Sequence, residues 1–422
     1  MPRYYIVVRT ARTTRCCAPC AAATLGLILG SGACPEARQT AQTTAEQRRE
    51  AIARMWRDSK PAPAPLLATE AAWMLTLQTV PSAGGAMDDD HIYIPLRDAS
   101  LVALDRETGV IAWTQQIDTM LPPTVGAGMV FVLANGALQA FDTSDGSVRW
   151  SVPFDGAVSA PPVSEGGWLV LTTEPGDVVA FRASDGHLIW RQHVGAPSSH
   201  RAALGDDIVC VSLNDNRLVA LALESGQIVW EQKLAGTISE PAIAKDRVFV
   251  GSSDNFFYAF DQDKGTLEWK WRNGGDVIGA ASDGDVVYFA SLDNMIRAVN
   301  RGNGNQRWTK PTGTRPLFPP VAFGGIVVLP GLMPAITVFA GEKGAVLGSQ
   351  AAAGNLVATP LIDRRLKPLH VALVLITREG VVEALRPAAL MFRETALVPV
   401  QPLPGRPLLR ERFDLERSST AE

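Results

Sequence analysis

Cysteine is almost missing from the body of this sequence. Four of the five cysteines lie within the first 34 residues, and Cys210 is the fifth. A disulfide within the body is therefore excluded, and so is a metal site built from several cysteines. The five histidines show no metal-ligand spacing, and the formal net charge of −4 leaves no basic surface for nucleic acid. The sequence also lacks a Ser/His/Asp, Cys/His or phosphate-loop motif.

A long apolar run is missing too, but the first 33 residues have the order of an export signal. Arginines without any acidic residue come first, then an apolar run at residues 21–29, then small residues up to Ala33. The run is too short to span a membrane, which needs about 20 residues. We predict a signal peptide over residues 1–33, in an exported, periplasmic protein.

Two processing routes compete for this signal, and an uncleaved anchor is a further alternative. An ordinary signal peptidase would cut after the small residues Ser31, Gly32 and Ala33. Gly32, Ala33 and Cys34 also resemble the end of a bacterial lipobox, in which Cys34 would carry a lipid, with Ser31 where leucine is usual. Residues 34–66 are predicted to be a tether, because a polar stretch is followed by an extended Pro-Ala-Pro spacer.

From about residue 70 the sequence repeats a unit of about 40 residues. Each copy has a β-like run ending in Ala-Leu/Phe-Asp or a relative, then a turn with glycine, then tryptophan four residues later. The glycines are Gly109, Gly146, Gly186, Gly226, Gly265, Gly304 and Gly344. The tryptophans are Trp73, Trp113, Trp150, Trp190, Trp230, Trp269 and Trp308, and Gly348 stands where one more is due. Seven tryptophans in one repeat position cannot line a single pocket, so we interpret them as fillers between neighbouring units.

The strand pattern within each unit predicts one blade of a β-propeller. A first strand follows a proline, as at Pro162 and Pro241, and a second strand precedes a tight turn such as Asn135-Gly136. The Ala-Leu/Phe run and the tryptophan run supply the third and fourth strands. Four short strands joined by hairpins make a propeller blade.

The two ends of the repeat region predict eight blades. Trp73 would lie in an outer strand, and residues 356–358, 371–374 and 381–385 would supply three strands without a following tryptophan. Joining them makes an eighth blade and leaves the ring closed. We predict an all-β, monomeric propeller of eight four-stranded antiparallel blades over residues 67–390, and a tail over residues 391–422.

This repeat resembles the quinoprotein-type, or PQQ-like, propeller repeat over residues 70–386. Eight such units behind a lipoprotein-like N-terminus resemble the outer-membrane protein assembly factor BamB family. The resemblance implies a scaffold without a cofactor, tethered to the inner face of the outer membrane. It also implies protein partners, namely the periplasmic domains of the core barrel subunit in the machinery that assembles outer-membrane β-barrels. The family's Arg-Leu-x-Asp-type loop is not reproduced by residues 195–201 or 235–240, so no binding residue is carried over.

Two other functions stay open, another envelope scaffold or sensor propeller and a PQQ-dependent dehydrogenase. Such dehydrogenases resemble one another in a vicinal cysteine pair, a Ca²⁺ site and a catalytic aspartate, but Cys16 and Cys17 lie in the predicted signal peptide. Asp88, Asp89 and Asp90 are acidic, yet three consecutive carboxylates cannot easily face one ion, so we interpret them as a solvated turn. We predict that the protein is not an enzyme and holds no metal.

The loops between units are the predicted partner sites, because function on a propeller resides in its loops and faces. The best candidates are residues 121–123, 196–201 and 312–318. In the last loop, Leu317 and Phe318 stand beside Arg315, a composition typical of binding hot spots. An ordinary linker between two blades is the alternative interpretation for each loop.

Overall fold

In the computed structural model of the chain, residues 69–332, 335–363 and 370–387 are described. Their regular elements are all β-strands, and these ranges contain no helix that could cross a membrane. The strands form eight four-stranded antiparallel sheets, which confirms the predicted eight-bladed propeller. The predicted signal peptide, Cys34, the tether and the tail at 391–422 lie outside the described residues.

The first four blades each take four consecutive strands of the chain. Blade 1 contains β2 (Ala86–Met87), β3 (His91–Leu96), β4 (Ser100–Asp105) and β5 (Ile111–Gln116); blade 2 contains β6 (Thr124–Gly126), β7 (Met129–Ala134), β8 (Ala137–Asp142) and β9 (Val148–Pro153). Blade 3 contains β10 (Val163–Glu165), β11 (Trp168–Thr172), β12 (Asp177–Arg182) and β13 (Leu188–His193); blade 4 contains β14 (Ala203–Leu204), β15 (Ile208–Ser212), β16 (Arg217–Ala222) and β17 (Ile228–Lys233).

The same order continues until the eighth blade, which combines both ends of the repeat region. Blade 5 contains β18 (Ala242–Ala244), β19 (Arg247–Gly251), β20 (Phe256–Asp261) and β21 (Leu267–Arg272); blade 6 contains β22 (Val277–Asp283), β23 (Val286–Ser291), β24 (Met295–Asn300) and β25 (Gln306–Pro311). Blade 7 contains β26 (Val321–Phe323), β27 (Ile326–Pro330), β28 (Ala335–Ala340) and β29 (Val346–Ala351); blade 8 contains β30 (Leu361–Ile362), β31 (Leu373–Ile376), β32 (Val381–Pro387) and β1 (Thr69–Thr76).

Blade 8 closes the ring as predicted, with one correction. Strand β1 pairs antiparallel with β32, and Trp73 lies opposite Ala384. The first strand of this blade is β30, not residues 356–358 as predicted, and Leu356 forms only an isolated bridge with Thr377. Pro360 precedes β30, so the rule that a first strand follows a proline holds here as well.

The predicted tight turns have the backbone that their residues suggest. Asn135 and Gly136 both have positive φ, and Asn216, Asn255 and Asn294 occupy the same left-handed region at 61–68°. Glycine and asparagine tolerate this region at low energetic cost, which fixes the hairpin between the second and third strands.

Seven of the eight blade junctions share one contact between tryptophan and glycine. Each repeat tryptophan donates its indole N–H to a backbone carbonyl of the next blade at 2.7–3.0 Å. The repeat glycine of that blade has a φ of 65–72°. A Cβ added there would lie 2.4–2.8 Å from the indole ring. The predicted filler role of the tryptophans is confirmed, and the glycine is required both by the backbone and by the ring.

Every outer strand contains a β-bulge next to the repeat position. In blade 4, Ala220 pairs with Trp230 and Leu221 pairs with Ile228, which leaves Val229 as the extra residue. The same register shift occurs in the other seven blades. Bulges twist an open sheet edge away from a second strand, so the rim of the propeller is protected against edge-to-edge association.

A buried ion pair adds a second contact at the junction between blades 8 and 1. The Arg106 guanidinium donates to Asp363 Oδ2 at 2.6 Å, and the side chains are only 3% and 4% exposed. Arg106 also donates to the carbonyl of Val371, and its own carbonyl accepts the indole N–H of Trp73. One residue of blade 1 therefore binds three different parts of blade 8.

Candidate functional site

The first strands of neighbouring blades contact one another, so they surround the axis of the propeller. Because the strands of a blade alternate in direction, the loops that join one blade to the next all lie at one end of this axis. We call this end the loop face. The turns between third and fourth strands, such as the turn at Gly226, lie at the opposite end, which we call the turn face.

One position on the loop face differs sharply between blades. It lies two residues before the first strand, beside the axis. In order from blade 1 to blade 8, the residues here are Gly84, Pro122, Pro161, Arg201, Glu240, Gly275, Pro319 and Thr359. Blades 4 and 5 alone place charges at this position, and the two charges are opposite in sign.

The side chains of Arg201 and Glu240 have no close polar partner. Neither side chain makes a hydrogen bond or an ion pair within 4 Å to any described residue. The two charges still influence each other, because the positive charge of Arg201 lowers the pKa of Glu240 and opposes part of the increase caused by burial. Two opposite charges on neighbouring blades, both uncommitted, present a surface for complementary charges on another molecule.

Burial dominates the electrostatics of this site. The Glu240 side chain meets water at the axis, but protein surrounds it on its other sides, and this burial raises its pKa. Burial also lowers the pKa of His200, which precedes Arg201, and an interaction with the backbone carbonyl of Ile238 opposes that shift. His200 thus lies between the loops of blades 4 and 5.

Buried serines hold both loops in place. The Ser198 hydroxyl, which is fully buried, donates to the carbonyl of His200 at 2.8 Å. Ser212 of blade 4 donates to the carbonyl of Ser239 in the loop before blade 5 at 2.8 Å, and Ser239 Oγ accepts the N–H of Gly251 at 2.9 Å. Arg201 and Glu240 therefore project from a backbone that is fixed before any partner arrives.

The loop at residues 312–318 also lies on the loop face, three blades further from blade 4. Arg315 is exposed, and Leu317 is 40% exposed. Phe318 is half-buried and packs against the core between blades 7 and 8, together with Phe323. The structure thus divides the predicted group into two surface residues and one residue that contributes to packing. It does not bring these residues next to Arg201 and Glu240.

The acidic turn at Asp88 has a structural explanation. Asp88 Oδ1 accepts the N–H groups of Asp90 and His91 at 2.9 and 2.7 Å, and its Oδ2 accepts the Tyr93 hydroxyl at 2.7 Å. The carboxylate thus closes the turn before β3. In the described part of the chain, no group of three His, Cys, Asp or Glu side chains could hold a metal ion.

Sequence reasoning selected the loop at residues 196–201 but missed Glu240 and the pairing of the two loops. A signal existed, because a charged residue stands two positions before the first strand in these two units and in none of the other six. The two loops contact each other because blades 4 and 5 are neighbours in the propeller, and the repeat pattern does not reveal contacts between loops of different blades.

Comparisons with known proteins agree with this architecture. A sequence model of the family described as outer membrane protein assembly factor BamB matches residues 55–197, 152–233 and 174–317. The BamB protein of Yersinia pestis is 31% identical over 98 residues, which cover 21% of this chain and 25% of that protein. The chain thus matches about a quarter of the length of this curated relative.

Two solved structures share the fold. BamB from Moraxella catarrhalis has a TM-score of 0.62 at 17% identity, covering 76% of this chain and 100% of that one. A quinohemoprotein alcohol dehydrogenase from Pseudomonas putida HK5 has a TM-score of 0.60 at 14% identity, covering 76% and 77%. At these identities the structures show the fold alone. The family model, however, matches residues 55–317, which is more than half of the sequence, and the chain therefore belongs to the outer membrane protein assembly factor BamB family.

Proposed function

We propose that this protein is a non-catalytic scaffold that binds protein partners of outer-membrane β-barrel assembly. The observation that carries the proposal is the pair Arg201 and Glu240, two uncommitted opposite charges on rigid neighbouring loops. Membership of the BamB family supports the choice of partner class.

The geometry favours a protein partner over a small substrate. At the position two residues before the first strand, the other blades have glycine, proline or threonine, so no further charge stands there to orient a small molecule. A fixed backbone loses little conformational entropy on binding, so a few complementary charges on a folded partner suffice for specificity.

The proposal places the protein in the periplasm, held by a lipid on Cys34 at the inner face of the outer membrane. The tether joins the propeller at β1, whose first residue lies on the turn face because β1 is a fourth strand. The loop face with Arg201 and Glu240 is thus at the opposite end from the attachment point, which leaves it accessible to a partner. Intact-mass analysis of the membrane-extracted protein tests the anchor, since the Cys34→Ser variant should lack the added lipid mass.

The partner is tested by crosslinked pull-down of the tagged full-length protein from solubilised envelope, followed by mass spectrometry. We expect recovery of a large outer-membrane barrel protein with periplasmic domains. Arg201→Glu and Glu240→Arg should each reduce this recovery by about tenfold or more. Each variant has charges of the same sign at positions 201 and 240, so one of them repels the complementary charge of the partner. Lys343→Glu, an exposed charge reversal on the turn face, is the matched control and should leave recovery unchanged.

Three outcomes would contradict the proposal. Equal recovery by the Arg201 and Glu240 variants would exclude these residues as the contact. Recovery of secretion or polysaccharide components instead would indicate another envelope scaffold. Stoichiometric binding of pyrroloquinoline quinone by the purified protein, without a protein partner, would indicate a quinoprotein.

The exposed residues of the loop at 312–318 form a second, smaller part of this proposal. An Arg315→Ala/Leu317→Ala variant should weaken recovery of the partner by a few-fold, since hot-spot residues contribute unequally. Phe318 is left unchanged in this variant because it packs against the core. Full recovery would remove this loop from the contact surface.

A further inference from the structure

A groove of about 520 Å³ lies on the rim of the propeller between blades 2 and 3. Val152 and Phe154 from the end of blade 2, with Phe181 and Leu188 of blade 3, form its apolar part. Phe154 is 4% exposed and packs edge-on against Phe181, with ring centroids 6.1 Å apart. Leu188 is 46% exposed, and its counterparts in other outer strands are exposed as well. The groove is therefore open to water, but apolar exposure alone does not distinguish it.

The groove is open where one repeat position has a short apolar residue. Two residues after the repeat tryptophan, Gln115 and Gln232 donate their side-chain amides to the carbonyl of the repeat glycine in the next blade, at 2.8 and 2.9 Å. Val152 occupies this position in blade 2 and has no donor. No described residue donates to the carbonyl of Gly186, the repeat glycine that lines the groove. A hydrogen-bond acceptor is thus left for a ligand.

The wall formed by blade 3 carries a weakly paired cation. The Arg191 guanidinium lies over the Phe154 ring, 5.8 Å from its centroid, which holds the charge at the edge of the groove. Its ion pair with Asp155 is 4.0 Å long, and that carboxylate is 95% exposed, so water weakens the attraction. Asp185 also lines the groove, but it pairs with Arg182 at 2.9 Å. Arg191 can therefore accept a carboxylate from another molecule.

These features occur together at one of the eight junctions. Each junction receives the residue two after the tryptophan position from one blade and the residue one after it from the next, because side chains alternate along a strand. From the junction between blades 8 and 1 onwards, these pairs are Leu75 with Thr114, Gln115 with Ser151, Val152 with Arg191, Gln192 with Glu231, Gln232 with Lys270, Trp271 with Thr309, Lys310 with Ser349, and Gln350 with Met74. A short apolar residue and a cation meet only between blades 2 and 3.

We propose that this groove binds an extended peptide segment in which an aromatic residue stands next to an acidic one. The aromatic ring packs on Phe154 and Leu188, and the carboxylate pairs with Arg191. A backbone N–H of the segment donates to the Gly186 carbonyl, in the place that a glutamine amide takes at other junctions. An open groove suits a chain that continues beyond it at both ends, whereas pockets for small molecules enclose most of the ligand. Arg201 and Glu240 take no part, so this binding is separate from the proposed function.

Methyl NMR of the full-length protein tests the site, with the peptide acetyl-Gly-Phe-Asp-Gly amide as the probe. We expect the methyl signals of Val152 and Leu188 to shift and saturate, with a dissociation constant in the millimolar range. The twin peptide with asparagine in place of aspartate should bind at least about fivefold more weakly, since it cannot form the ion pair with Arg191. Equal binding of the two peptides, or shifts spread evenly over the outer strands, would overturn the proposal.

A pair of charge-removing variants tests the role of Arg191. Arg191→Gln should weaken binding of the aspartate probe by about fivefold or more and leave binding of the asparagine twin unchanged. Lys270→Gln is the matched control, because Lys270 has the same repeat position and also lies over an aromatic ring, 4.7 Å from the centroid of Phe256. Gln232 bonds across that junction, so this variant should bind both peptides normally. An equal loss in the two variants would indicate a general effect of net charge and contradict the site.

Val152→Gln tests the open carbonyl, because it restores the residue found at this position in four other blades. Its amide should bond to Gly186 and abolish binding of both peptides, while Arg201→Glu should bind them normally. Binding that persists in folded Val152→Gln would place the probe elsewhere. Phenylpropionate has the ring and the carboxylate without a peptide backbone. If it bound as tightly as the aspartate probe, the groove would be a site for small aromatic acids, contrary to the proposal.

Discussion

The repeated junctions and the site on the loop face follow opposite rules. At the junctions, the same tryptophan and glycine recur seven times with nearly the same distances. Two positions before the first strand, Arg201 and Glu240 are the charged residues among the eight blades, and each occurs once. The residues that repeat build the ring, whereas the residues that depart from the repeat are candidates for binding. The following variants test this division, from the largest expected effect to the smallest.

Trp190→Ala should cause the largest loss of stability. Trp190 is 8% exposed, and its indole N–H donates to the carbonyl of Leu223 at 2.7 Å. Removing a buried aromatic side chain costs about 3–5 kcal/mol through lost burial and the cavity left behind. Urea unfolding measures the loss, and partner recovery from the folded fraction should stay normal. A loss below about 1 kcal/mol would contradict the role assigned to the repeat tryptophan.

Asp363→Ala should come close to that loss, although it belongs to no repeat. The substitution leaves the buried Arg106 guanidinium with only Glu107, whose carboxylate lies 3.8 Å away and is 40% exposed. Breaking a buried pair in this way costs about 3–5 kcal/mol. Asp185→Ala is the control, because its ion pair with Arg182 is exposed to solvent and should contribute little to stability. Equal effects in thermal unfolding would mean that burial does not distinguish the two pairs. A large loss in Asp363→Ala would show that a residue outside the repeat pattern can also stabilise the ring.

Gly226→Ala should cost more than the same change at Gly128. Both glycines have a φ of 72°, so both substitutions place a side chain in the left-handed region, at about 1–2 kcal/mol. An added Cβ at Gly226 would also lie 2.6 Å from the Trp190 ring, whereas Gly128 has nothing within 4 Å. The difference between the two urea midpoints isolates the tryptophan contact. Equal midpoints would show that the repeat glycine serves the backbone alone.

Glu240→Gln should have the smallest effect on stability, and its sign depends on pH. Burial raises the pKa of Glu240, so the folded protein binds this proton more tightly than the unfolded chain does. Stability is therefore lost as pH rises from the ordinary carboxyl pKa of about 4.3 through the folded pKa. The variant should match the unsubstituted protein near pH 4 and be the more stable of the two at pH 7. Thermal unfolding across this range measures the difference, and a variant less stable at pH 7 would be the contrary result.

The fold was predictable because its signals are local and recur. The spacing of tryptophan and glycine predicted the number and order of the blades. Trp73 at one end of the repeat region and three strands without a tryptophan at the other end predicted how the ring closes. The misplaced first strand of blade 8 has a specific cause. The apolar residues 356–358 outweighed the shorter strand after Pro360, which has only Leu361 and Ile362.

The candidate site was less predictable because it arises between repeats. Arg201 and Glu240 are separated by a whole blade along the chain, and each alone is an ordinary charged loop residue. Their common position beside the axis follows from the closed ring. For Phe318 the prediction was wrong for a different reason. The composition of its loop suggested a surface contact, but the phenyl side chain packs against the core between blades 7 and 8.

The pairing of β1 with β32 also sets an order of events during synthesis. Trp73 lies opposite Ala384, more than 300 residues later in the chain. Strand β1 is made first among the strands described, but it acquires its sheet partner last. The ring cannot close until the chain has been synthesised as far as residue 387. Until then, the blades already formed have an uncovered side at each end of the incomplete ring. Such long-range closure is slow and exposes strand edges in the interim. Completion of this fold therefore depends more on the synthesis of its last strand than on the order in which the first seven blades form.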